Sequence, residues 1–133
     1  MNRLKNLLTL LIIGITTISC HFSDYESEMF ISTTKNYSIK AQVNRTDQNK
    51  EDFADVIIIA YDQNKEELEK LNSHAGDANK WSLGWSKTGD TILLQSSDIG
   101  NQAWIIQNRK IQKVRLTKSL DMQAEDLYRK KYK

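Results

Sequence analysis

The chain has no proline, one cysteine, two histidines and five glycines among its 133 residues. Without proline, the turn signals left to the sequence are Asn, Asp, Gly and Ser, whose side chains or backbone freedom suit them to reversing a chain. A lone cysteine excludes an internal disulfide. Two histidines, with neither a Cys-x-x-Cys nor a His-x-x-x-His spacing, give no ground for a metal centre. The sequence also lacks a Gly-rich phosphate loop and a Gly-x-Ser-x-Gly nucleophile elbow. No cofactor is expected on this basis. A strong excess of one charge is missing too. The 19 basic and 17 acidic side chains include Arg3 and Lys5 but no acid ahead of residue 20, which leaves 17 of each sign from there on. Nucleic-acid binding, which asks for a marked excess of Lys and Arg, is therefore not expected.

The first residues have a different character. Arg3 and Lys5 precede an uncharged stretch from Asn6 to Ser19, with Leu7, Leu8, Leu10, Leu11, Ile12 and Ile13 at its centre. That stretch is shorter than the ~20 apolar residues a spanning helix needs, and it suits the hydrophobic part of an export signal. Thr17-Ile18-Ser19-Cys20 then resembles the end of a bacterial lipoprotein signal, in which a small residue precedes the cysteine. Thr17 departs from the usual Leu, Val or Ile. The resemblance implies cleavage before Cys20 and attachment of lipid to its sulfur, with partition into the membrane through two or three acyl chains. Residues 1–19 are thus expected to be the signal peptide, residues 20–28 a lipidated tether and residues 29–133 one domain, a size suited to a single core. His21, in place of an aspartate after the cysteine, implies the outer membrane, on its periplasmic or surface face, rather than the inner membrane.

Past the tether the pattern is mainly β (α+β): a small antiparallel sheet or sandwich of about six to eight strands with a C-terminal helix. Met29 to Thr33 and Tyr37 to Val43 read as a first hairpin, the second arm alternating apolar Tyr37, Ile39, Ala41 and Val43 with polar residues. Ala54 to Tyr61 holds four consecutive β-branched residues, the mark of a central strand buried on both faces. Glu66 to Leu71 fits either a helical turn or a strand returning from that centre. Ser73 to Asn79 reads as a loop. Trp81 to Ser86 and Thr91 to Gln95 flank a tight turn at Gly89, and Ala103 to Gln107 with Lys110 to Leu116 form a last hairpin around Asn108-Arg109. From Thr117, a capping residue, early acids and late bases predict a helix over 118–131, with Leu120, Ala124, Leu127 and Tyr128 on one face.

The Trp81-to-Ile92 stretch is similar to a hairpin in propeller blades of the Tol-associated periplasmic type, but a chain this short cannot close a propeller. The block from Ala54 to Trp104 resembles small uncharacterised lipoproteins of Bacteroidota, which implies no activity. Trp81, Trp85 and Trp104 invite two readings, a stacking platform for glycan or peptide and plain core packing, of which core is the better supported. Ser73, His74 and Asp77 sit close in sequence, as does Asp98 to Asn101, and these offer an envelope hydrolase or a calcium loop as alternatives. Sequence proximity does not make a catalytic triad, and turn capping accounts for Asp98. Arg129, Lys130, Lys131 and Lys133 form a basic C-terminus that suits the helix dipole and could also meet anionic lipid. The expectation is a non-enzymatic, membrane-anchored interaction module, of immunity or inhibitor type, whose partner is an envelope protein or an incoming toxin.

Overall fold

A computed structural model describes residues 23–133 other than 48 and 50. Cys20 and the expected signal peptide, residues 1–19, lie outside the described residues. The order of elements is β1 (Tyr25–Glu26), β2 (Phe30–Ile31), β3 (Tyr37–Val43), β4 (Asp55–Asp62), β5 (Glu67–Gly76), β6 (Trp81–Trp85), β7 (Thr91–Ser96), β8 (Gly100–Gln107), β9 (Lys110–Val114) and α1 (Lys118–Lys131). All pairings are antiparallel. In the first sheet β1 and β2 both lie against β3, followed by β4 and β5; the second sheet runs β6-β7-β8-β9. The fold is mainly β with one C-terminal helix, as the sequence pattern leads one to expect.

The two sheets share one core. Ile39, Ala41 and Val43 on β3 face Ala60, Ile58 and Val56 on β4 in register, and all six are fully buried. Opposite them the second sheet contributes Trp81, Leu83, Ile92, Leu94, Trp104 and Ile111. Burying side chains of this size stabilises the fold by roughly 1.5–3 kcal/mol each. The other face of β4 carries Ile57 and Ile59, which are 6% and 2% exposed. They lie between Gln42 and Lys40 on one side and Asn72 and Lys70 on the other. That placement explains the unbroken β-branched run.

Side chains bridge both seams where the sheets meet. Glu69 accepts from the backbone N–H of Ile111 on β9. On the other seam the Trp85 indole donates to the Phe30 carbonyl at 2.9 Å, and the Thr33 hydroxyl to the Ser86 carbonyl at 2.9 Å. Satisfied edge groups blunt an edge that could otherwise pair with another strand. The helix covers the outer face of the second sheet. Thr117 caps it by accepting from the Leu120 N–H at 3.2 Å. Ala124 is fully buried against Leu93 and Ala103, with Leu120 and Leu127 alongside.

Three local expectations change. Tyr25 and Glu26, expected in the tether, pair with Val43 and Gln42 and belong to the sheet. Of Met29 to Thr33, only Phe30 and Ile31 form a strand. Ser73 to Gly76, expected as loop, completes a ten-residue strand that begins at Glu67, so of the two readings open for Glu66 to Leu71 the returning strand holds. The two gains of strand have one physical reason: an interior strand needs a hydrogen-bonded neighbour on both sides, and that requirement overrides local composition. The nine strands exceed the six to eight expected because β1 and β2 are only two residues each.

Candidate functional site

The tryptophans stand between the sheets. Trp81 and Trp104 are 5% and 4% exposed, and Trp85 is half-buried with its indole on the Phe30 carbonyl. Trp81 and Trp104 therefore offer no broad ring face to solvent for stacking. The residues behind the hydrolase alternative point apart. Ser73 is buried and donates to the Val56 carbonyl at 2.6 Å, while His74 is exposed with a left-handed φ of 63°. Asp98 accepts from Ser96 and from the Gly76 N–H, whereas the Asn101 amide turns to Asp121 and Glu125 on α1.

Trp81 nonetheless organises one end of the sandwich. Its indole donates to one oxygen of Asp77 at 3.1 Å, and Arg45 donates to the other at 2.7 Å. Burial pushes the Asp77 carboxyl up, but the bonds from Arg45 and Trp81 and the charges of Arg45 and Lys131 outweigh it and hold it below its ordinary value. The same Asp77 bond raises Arg45. Tyr25 packs edge-on to Trp81 at 6.1 Å, with Arg45 over its ring. From α1, the Lys131 ammonium lies 3.8 Å from the Trp81 ring centre and donates to the Trp81 carbonyl at 2.6 Å. The Tyr132 hydroxyl accepts from the Trp81 N–H at 3.0 Å and donates to its carbonyl at 2.8 Å. The helix end thus takes the hydrogen bonds that a further strand would make with β6. We call this the tether end, after the tether that the sequence leads one to expect ahead of Tyr25.

The opposite end gathers four turns, at 33–36, 63–66, 87–90 and 108–109. Side chains fix them. The Thr34 hydroxyl bonds Asp90 at 2.7 Å, joining the first turn to the third, and one Asp62 oxygen accepts from the N–H groups of Asn64 and Glu66. Asn108 and Arg109 both have positive φ, 52° and 61°, as a type I′ hairpin turn requires. Lys35 and Lys65 are likewise left-handed, at 65° and 63°. Each such residue costs about 1 kcal/mol that glycine would avoid. Lys35, Lys65 and Arg109 are all exposed, and a cleft of about 330 Å³ opens between Asn36, Tyr37, Asp62, Leu68, Ile106 and Arg109. The sequence places Arg109 in a hairpin turn but does not group it with Lys35 and Lys65, since lysine and arginine carry no signal for a left-handed backbone.

Two further concavities lie on the flanks. A groove of about 490 Å³ follows the seam beside β6, with Tyr25, Phe30, Trp81, Leu83 and Leu127 in its walls and Lys130 on its rim. A hollow of about 630 Å³ lies on the outer face of the first sheet, over Gln42, Ile57 and Asn72. No helix among the described residues is long and apolar enough to cross a membrane. In comparisons with known proteins, no family model, curated protein or solved structure matches this chain.

Proposed function

We propose that this chain is a lipid-anchored interaction module of the cell envelope, non-catalytic and attached at the outer membrane through Cys20. It recognises a protein partner, an envelope component or an incoming toxin, with the turns farthest from its anchor. The observation carrying this reading is that Lys35, Lys65 and Arg109 all occupy left-handed turn positions at that end. Ala54 and His74 are left-handed too but lie elsewhere; what sets the turn end apart is three exposed basic side chains held in that conformation together. A residue serving only to turn the chain would be replaceable by glycine with a gain in stability, and these exposed side chains add basic groups to a surface aimed away from the tether.

Anchoring and recognition are tested separately. Labelled palmitate should enter the wild-type chain, and Cys20→Ser should abolish labelling and release the chain from the membrane fraction. Persistence of firm membrane attachment in Cys20→Ser would refute the anchor. For recognition, Lys35→Gly, Lys65→Gly and Arg109→Gly should each raise stability by about 0.5–1 kcal/mol in urea unfolding. The triple variant should lose the partner captured from envelope extracts by the wild type. If the stabilised variant captures the same partner as well as wild type does, the turns are not the recognition surface.

A further inference from the structure

We infer that the tether end, where the C-terminus of α1 meets β6, is a contact surface for the anionic headgroups of the membrane that holds the chain. The inference takes its geometry from the proposed anchoring at Cys20 and its chemistry from residues of the domain. Tyr25 is five residue steps from Cys20, a reach of at most about 18 Å in extended chain. Tyr25 is already packed on Trp81, which holds Lys131 and Tyr132. A lipid on Cys20 therefore keeps this cluster within a short distance of the headgroups.

The surface has the composition such a position requires. Lys80, Lys130 and Lys133 are exposed and pair with no carboxylate among the described residues. Most of the neighbouring acids are engaged. Arg45 holds Asp77, Arg129 holds Asp126, Lys40 holds Glu26, and Asp24 accepts from the Arg45 and Thr46 N–H groups. Glu28 lines the same groove as Lys130. Tyr128 and Tyr132 pack together with tilted rings, their centres 4.7 Å apart, and Tyr132 is 38% exposed. Tyrosine with flanking lysine is the pairing favoured at a membrane–water interface: the ring sits among headgroups and the ammonium reaches the phosphates. Contact there turns the Lys35, Lys65 and Arg109 turns outward.

The mature lipidated chain is placed in vesicles of phosphatidylglycerol and, separately, of phosphatidylcholine. Lipid occupies the Cys20 sulfur, so Ala78→Cys at the tether end and Gln63→Cys at the turn end can each be labelled with an environment-sensitive fluorophore. The label at 78 should shift to the blue in phosphatidylglycerol relative to phosphatidylcholine, and the label at 63 should not. The shift should disappear at high salt and in a chain carrying Lys80→Gln, Lys130→Gln and Lys133→Gln. Equal emission at 78 in the two lipids, or an equal shift at 63, would overturn the inference. A chain lacking lipid on Cys20 would show itself by failing to stay on phosphatidylcholine vesicles, which refutes the anchor alone. Sedimentation of that unanchored chain with phosphatidylglycerol vesicles then decides: binding that falls about fivefold per lysine replaced supports the surface, and no binding refutes it.

Discussion

The Asp77 carboxylate accepts from Arg45 on one oxygen and from the Trp81 indole on the other, so its charge is worth most when it is ionised. Its folded-state value lies below the ordinary carboxylate value of about 3.9. The stabilisation is therefore complete above that ordinary value and is lost as pH falls through the lower, folded one. Asp98 shifts the same way: burial raises it, but bonds from the Ser96 hydroxyl and the Gly76 N–H prevail. Urea unfolding across a pH series should show stability declining below about pH 4. Asp77→Asn should flatten that decline and lower stability at neutral pH by roughly 1–2 kcal/mol, since a charge-assisted bond to Arg45 is lost. An unchanged acid limb in the variant would show that the pair contributes little. None of this was legible in the sequence, where Asp77 stands beside Ser73 and His74 while its partner Arg45 lies 32 residues away.

Elements governed by local rules were the most readable. Helix α1 spans 118–131 as its cap, early acid and late bases predict, because each of those signals acts within one turn. Strand β5 was ambiguous because its charged residues favour a helix, and only the need of β4 for a second neighbour decides. What the helix covers was equally hidden. Ser82, Gln95 and Asn101 are successive cross-strand neighbours on β6, β7 and β8, and each has a buried side-chain oxygen without a hydrogen-bond partner among the described residues. Two residues along β6, a Cβ on Gly84 would come within 3.0 Å of Leu127. Substitutions on this face should therefore have opposite signs. Ser82→Ala removes an unsatisfied hydroxyl and should stabilise by about 1 kcal/mol. Gly84→Ala presses on the helix and should destabilise by roughly 1–3 kcal/mol. Thermal unfolding of both variants checks this, and a destabilised Ser82→Ala would mean that the hydroxyl is satisfied in solution.

The molecule as a whole has one core between its sheets, to which both Trp81 and Trp104 belong. Neither sheet can lose the other without exposing that core. Unfolding should be a single transition, with tryptophan emission and far-ultraviolet circular dichroism changing together. Non-coincident curves would show that the sheets unfold separately. The connectivity has a further consequence. Every strand of five residues or more pairs with a strand next to it in sequence. A polypeptide threaded amino-end first through a narrow conduit can then zip each hairpin as it emerges, with no distant segment to await. Lys131 and Tyr132, which clamp the open side of β6, lie beyond every strand in the chain, so the clamp can close only after both sheets have emerged.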